Sequence, residues 1–386
     1  MSDEKPLCVL SIAHTGVQRD AGRLRYHPLG QRSDLEVHLV VPKRWFEFGR
    51  WYEADAPDDP GIHVHVLPIW FPRASLASWY LHFYPGLGSL IRKIKPDIIH
   101  LWEEPWSIVA LQACALRKDA AYVLEVDQNI QKHLVFPFES LRRFVLRKTD
   151  HVLVRSSDAT AVVRACGYTG PVTDLGYGVD QRTFSPVKKS DDSAPPKDTL
   201  RLGYVGRLIE EKGIDDAIDA LAKLPETVTL AIMGEGPYAG HMKARIKSLG
   251  LESRVTFQGW DSPKAVAEFI RSLDILVLLT RTTGSVREQF GRVILEAQSC
   301  GVPVLGSQCG SIPLVIGAGG WIVPEKSPLS IVQCIESILK NPNELRVCRE
   351  AGLANIGLRF TFRVVAETLA TVWRTAYFAR KNKQTT

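Results

Sequence analysis

The chain contains no run of 18 or more apolar residues, so no part of it reads as a helix that spans a bilayer. Its seven cysteines (Cys8, Cys114, Cys166, Cys300, Cys309, Cys334 and Cys348) include no C-x-x-C pair. An odd, irregular set of this kind argues against a disulfide framework or a structural metal and suggests reduced thiols in the cytoplasm. Concentrated charge is missing too: the net charge of +6 forms no basic stripe, and no nucleic-acid module is present, so no nucleic-acid partner is expected. The modest excess suits an anionic small molecule or an acidic membrane surface and selects neither. There is no disorder signature, since 45% hydrophobic and 23% charged residues make an ordinary globular balance. The opening MSDEKPLCVLSIAH starts with acids and carries a short apolar run, which reads as a strand start rather than a signal peptide.

What is present is length enough for two domains, 386 residues, each with its own core. One stretch organises the rest. Residues 273–279 (LDILVLL) form a short continuous apolar run, as expected of a strand buried on both faces of a parallel sheet. A polar loop follows, then Glu288, Gln289, Phe290 and Gly291, and helical periodicity from 292 to 299 that Gly301 and Pro303 stop. A strand, loop and helix start in that order put the loop at the carboxyl edge of a sheet, where open α/β folds bind ligands. Glu288 and Glu296 flank the helix start. In one continuous helix they would stand roughly 12 Å apart, at about 1.5 Å per residue, a span that matches a nucleotide diphosphate-sugar. Free N–H groups near Phe290 and Gly291 would then meet the diphosphate. The same spacing also fits a dipole-favoured Glu and a solvated one, and spacing alone does not separate the two readings.

The pattern Glu288-x-Phe290-Gly291-x4-Glu296, followed by Gly301-Val302-Pro303-Val304, closely resembles the retaining glycosyltransferases of family 4, which have the GT-B fold. The resemblance implies an α/β chain of two Rossmann-like domains with parallel sheets facing across a cleft. It assigns the sugar to Glu288, the ribose to Glu296, and a nucleotide diphosphate-sugar, UDP- or GDP-linked, as donor.

In the first half, 7–13 reads as a strand, and Gly16 in the turn after it either lets a backbone approach a phosphate or sugar or simply makes a tight turn. His63 and His65 alternate with valines and share one strand face, which suits a solvated face better than a metal site. Aromatics from Trp70 to Tyr84 (Trp79 and Tyr80 among them) precede Arg92, Lys93 and Lys95. That stretch fits an interfacial helix or a packed surface helix, so peripheral contact with the inner face of a membrane stays open. PDIIHLW (96–102) is a buried strand with Glu103 and Glu104 at its carboxyl end, and 122–126 repeats the layout with Asp127, Gln128 and Asn129. These polar strand ends are candidates for acceptor hydroxyls, or for capping their loops. PDIIHLW resembles the family's acceptor-domain strand. Where many members carry a His, Asp127 stands here, and His133 is a candidate substitute.

Residues 185–199 (SPVKKSDDSAPPKDT) have linker composition, dividing an acceptor domain, 1–184, from a donor domain, 200–361. Just before the linker, VTDLGYGVDQRTF resembles the family's hinge signature, with Asp180 expected to cap the turn. After 200–205 comes Gly206-Arg207-Leu208-Ile209-Glu210-Glu211-Lys212-Gly213, which offers backbone N–H groups and two cations to a diphosphate. It is not the G-x-G-x-x-G arrangement, which argues against an NAD enzyme. A surface ion pair from Lys212 to Glu210 or Glu211 is the plain alternative. By likeness to the family's Gly-Arg-Leu-x5-Gly loop, Arg207 and Lys212 grip the leaving diphosphate, while Gly234, Gly259 and Trp260 line the nucleotide. A last helix, 362–380, would cross back to the first domain. The resemblance thus implies a retaining glycosyltransferase, expected to be metal-independent and without a cofactor, with an acceptor the sequence does not name and an oligomeric state it leaves open. A sugar-nucleotide epimerase of similar shape and a non-catalytic nucleotide-sugar-binding subunit are the alternatives.

Overall fold

A computed structural model describes residues 5–47, 49–71, 78–116, 119–186 and 199–385. The chain divides into two compact units, Met1–Tyr177 with Phe362–Thr386, and Gly178–Thr361.

The first unit holds strands β1 (Leu7–Ala13), β2 (Leu35–Pro42), β3 (Arg44–Glu47), β4 (Arg50–Glu53), β5 (His63–Leu67), β6 (Ile98–Trp102), β7 (Ala121–Glu125), β8 (His151–Val154) and β9 (Val172–Asp174). Apart from the antiparallel β3–β4 hairpin they form one parallel sheet in the order β5-β2-β1-β6-β7-β8-β9. The strands are near-continuous apolar runs because helices cover both faces. Side chains alternate between the faces. Leu10, Ile12, Ile99, Leu101, Tyr122 and Leu124 join the core on one side, while Val9, Val37, Leu39, Val41 and Val123 join Leu369 and Trp373 on the other. The helix Phe362–Thr385 therefore belongs to the first unit's core, with Trp373 fully buried.

Beneath that helix lies a buried polar cluster. Arg25 donates two hydrogen bonds to Glu125, at 2.7 and 2.9 Å, and Arg155 pairs with the same carboxylate. His100 Nε2 lies 3.1 Å from Glu125, and its Nδ1 meets Ser11 Oγ at 2.9 Å. Burial alone would raise the Glu125 carboxyl, but the two guanidiniums hold it well below the usual range.

The second unit holds β10 (Leu200–Val205), β11 (Val228–Met233), β12 (Val255–Gln258), β13 (Ile275–Leu278), β14 (Val304–Ser307) and β15 (Gly320–Val323), all parallel, in the order β12-β11-β10-β13-β14-β15. The chain builds outward from β10 to β12, then returns to lay β13 on the other side of β10. That reversal opens a crevice at the carboxyl ends of β10 and β13, the usual ligand position in such sheets. Most of the stretch with linker composition, 187–198, lies outside the described residues. The turn 178–184 belongs to the second unit, where Asp180 caps it by accepting from Arg182 N and Thr183 Oγ1.

In the aromatic stretch of the first unit, Trp70 and Phe71 are exposed and Tyr84 is buried. Residues 72–77 and the Trp79 side chain lie outside the described residues. Arg92 and Lys93 point to solvent from the helix Leu87–Ile94. His63 and His65 do share a face, where His38 stacks on His63 and meets His65 Nε2 at 3.0 Å.

Candidate functional site

The crevice of the second unit is built by loops that lock onto one another. Gly206 N donates to Met233 O at 3.1 Å, Gly234 N to Gln258 O at 3.0 Å, and Leu208 N to Glu235 O at 2.9 Å. The fit leaves no room for a side chain at Gly234, where a Cβ would stand 1.9 Å from the Gly206 carbonyl oxygen. Gly259 and Trp260 follow β12 on the same edge, and both are exposed.

Lys212, at the end of a short turn after β10, places Nζ 2.6 Å from Glu288 Oε2. Thr280, at the carboxyl end of β13, donates to the same oxygen at 2.8 Å. The lysine therefore pairs across the crevice, not with its neighbours Glu210 and Glu211. Arg207 is exposed in the same loop, and its carbonyl accepts the Tyr204 hydroxyl at 2.8 Å.

Glu288 is not on a helix. The helix runs Arg292–Ser299, and its N-cap Gly291 is left-handed at φ 83° with no side-chain cap. The axial spacing expected of one continuous helix over Glu288 and Glu296 therefore does not apply: Glu288 lies in the loop and only Glu296 is helical. The loop is pinned from behind, because Ser311 N donates to the Glu288 carbonyl at 3.1 Å and Ser311 Oγ to the Gln289 carbonyl at 2.8 Å. Phe290 is buried and meets Phe360 edge to face, so it anchors the loop. Uncapped N–H groups at the helix start form an anion-favouring end beside the Lys212–Glu288 pair. Burial raises the Glu296 carboxyl above its usual range.

The strand ends of the first unit carry the acceptor-side candidates. Glu103 is fully enclosed, with Oε1 2.8 Å from His14 Nδ1 and 3.5 Å from His82 Nε2. Burial would raise this carboxyl, yet the two imidazoles bring it down to about 2. Burial would lower His14, and the charge of Glu103 raises it instead. His14 packs at a tilt against Trp45, with ring centroids 4.5 Å apart. Glu104 Oε1 accepts the backbone N–H groups of Asp127 and Gln128 at 3.0 and 2.9 Å, so it caps the loop after β7. Burial, then the charge of Asp127, pushes Glu104 up to about 8. Asp127 accepts from Arg155 Nε at 2.8 Å and from Trp102 Nε1 at 3.3 Å. Gln128 and Asn129 are buried, and Gln128 donates to Ile130 O at 2.8 Å. His133 is exposed on the same loop. Gly16 is buried in the turn His14–Val17, with its carbonyl taken by Arg23 Nε at 2.6 Å, which is the geometry of a packed tight turn.

Two groups could hold a metal ion among the described residues: His14, His82 and Glu103, and Cys8, Glu36 and His38, the ligand atoms of each lying within 4.8 Å of one another. Sequence reasoning passed over His82 because nothing local marks it. Thr280 was missed as well, although its place just after the apolar strand LDILVLL was a usable signal. Ser311 had none, since its partner Glu288 is distant in the chain.

A profile described as "Glycosyl transferases group 1" matches residues 187–354, and one described as "Glycosyltransferase Family 4" matches residues 30–182. The D-inositol 3-phosphate glycosyltransferase of Segniliparus rotundus is 29% identical over 212 residues, covering 52% of this chain and 46% of that protein. Sulfoquinovosyl transferase SQD2 of Arabidopsis thaliana is 28% identical, covering 60% of this chain and 46% of that protein. The chain thus spans just under half the length of these two relatives. The lipopolysaccharide core biosynthesis mannosyltransferase LpsB of Rhizobium meliloti is 26% identical, covering 75% and 86%. Two solved structures have the same fold. They are sucrose-phosphate synthase from Thermosynechococcus elongatus (TM-score 0.72, 19% identity, 97% and 100% covered) and Anabaena HepE in complex with UDP and glucose (0.69, 18%, 96% and 100%). Profiles over both halves, sequence relatives and fold agree, and the chain belongs to the family 4, group 1 glycosyltransferases, with the GT-B fold.

Proposed function

We propose that this chain transfers a glycosyl group from a UDP- or GDP-sugar to an acceptor nucleophile with retention of anomeric configuration. The observation that carries this reading is the Lys212–Glu288–Thr280 cluster at the sheet reversal, beside an uncapped helix start. The diphosphate lies against that helix start, with Arg207 and Lys212 neutralising its charge. Glu288 orients the sugar hydroxyls and Glu296 the ribose. The bond from the anomeric carbon to the phosphate oxygen breaks, a bond to the acceptor oxygen forms on the same face, and the acceptor proton passes to the departing phosphate oxygen. No protein base is needed, and the two cations supply the charge that a divalent ion could otherwise provide. Preorganised charges of this kind act on the developing diphosphate without reorganising during the reaction. The acceptor lies at the strand ends of the first unit, where His14 and Asp127 are both partly exposed.

The test is a thermal-shift screen against nucleoside diphosphates and their sugars, followed by transfer assays with the donors that stabilise the protein. A UDP- or GDP-sugar should raise Tm, and the product's anomeric proton coupling should match that of the donor. Failure of every nucleotide to bind, or an inverted product, overturns the reading. A donor sugar isomerised without any acceptor points to an epimerase.

A further inference from the structure

The first unit carries a second feature that the donor chemistry does not use. A cavity of about 600 Å³ opens between the helix Phe138–Lys148, the loop before it and the end of the helix Ser157–Ala165. Its lining includes Arg142, Arg143, Arg147, His133 and Gln131, with Glu139 as the single carboxylate. Three guanidiniums against one acid leave the walls cationic.

The bland explanation is helix stabilisation. Arg147 in the last turn favours the helix dipole, and Glu139 pairs with Arg143 one turn on, at 3.2 Å. That account covers the exposed residues but not Arg142, which is only 5% exposed. Its Nη1 donates to Lys132 O at 3.1 Å and its Nη2 pairs with Glu139, while its buried Nε has no acceptor among the described residues. A buried donor without an acceptor is costly, and Arg143 and Arg147 stand i,i+4 on one helix, where like charges repel. One ligand relieves the repulsion. An anion between the guanidiniums offsets it, and the planar fork of arginine matches phosphate geometry.

We propose that this cavity binds the phosphate group of a phosphate ester. The volume exceeds what a bare anion fills, which leaves space for the esterified remainder. Arg142 also lines a small apolar void shared with Glu104 and Gln128, so the anion sits behind the loop that carries the acceptor-side candidates. Val135 and Phe136, on the loop leading into the helix, are 75% and 85% exposed. The ester is therefore either a soluble metabolite or a phospholipid headgroup whose chains meet those two side chains. Every residue invoked lies in the first unit, and the donor residues of the second play no part.

The test uses the full chain carrying Arg207→Ala and Lys212→Ala, so that phosphate cannot report on the donor crevice. Calorimetric titration with glycerol 3-phosphate, and sedimentation with phosphatidylglycerol vesicles, should show binding by at least one probe. Arg143→Gln with Arg147→Gln should weaken it by about tenfold or more, and Glu139→Gln should tighten it. Binding of the soluble ester assigns a soluble source, whereas vesicle binding that is also lost in Phe136→Ser assigns the headgroup. No binding of either probe, or affinity indifferent to the arginine substitutions with unchanged Tm, overturns the proposal. Because transfer activity is not read, the result stands apart from the donor reading.

Discussion

Lys212 Nζ and Glu288 Oε2 stand 2.6 Å apart although their residues are 76 positions apart in the chain. The pair joins the loops that follow β10 and β13, and Thr280 steadies it from the strand end. In the proposed reading Glu288 also faces the sugar, and the cation it holds in place is preset for a diphosphate leaving group. Lys212→Ala should lower turnover by roughly 10²-fold or more, the scale for removing one charge stabiliser. Lys212→Arg should recover only part of the loss, because a wide planar fork does not replace a compact ammonium beside two oxygens. Steady-state kinetics with the identified donor checks this, and an unchanged kcat in Lys212→Ala removes the assigned role.

Gly310 supports Glu288 from behind. It is left-handed at φ 53°, and a Cβ there would stand 2.2 Å from the Glu288 carbonyl oxygen. Gly310→Ala should cost about 1–3 kcal/mol and displace the Glu288 loop, lowering kcat as well as stability. Gly240, in the helix Ala239–Ser248 with open space around it, is the control. Gly240→Ala should stabilise by about 0.5–1 kcal/mol. Urea titrations of both variants, paired with transfer assays, separate the effects.

Glu104 makes stability depend on pH. Its carboxyl ordinarily titrates near 4.5 but is pushed up to about 8 in the folded chain. Between those values the folded state keeps a proton that the unfolded state releases, so stability falls as pH rises through this window. Glu104→Gln keeps an oxygen for the Asp127 and Gln128 N–H groups and removes the titration. Its Tm should therefore vary less than that of the parent from about pH 5 to about pH 8. Parallel Tm curves for the two proteins would refute the linkage.

Glu125 neutralises Arg25 and Arg155 in the core of the first unit. Glu125→Gln leaves the buried Arg25 without its counter-charge and Arg155 with Asp127 alone, and such losses cost about 3–5 kcal/mol. Denaturant unfolding should show the deficit. A variant as stable as the parent would mean that water or rearrangement satisfies the arginines.

The sequence alone determined most strands of the two parallel sheets, because continuous apolar runs between turn residues leave few other structures, but it did not mark the β3–β4 hairpin or the short edge strand β9. It also marked Arg207, Lys212, Glu288 and Glu296 one at a time, through short-range motifs. Tertiary structure decided who meets whom. The return of the chain from β12 to lay β13 beside β10 brings Lys212 to Glu288, and no local pattern encodes that approach. The same holds in the first unit, where Glu104 spends an oxygen on backbone N–H groups and His82 joins His14 at Glu103. Local sequence sets the conformation of each segment. The partner of a charged side chain depends on which strand ends the fold sets side by side.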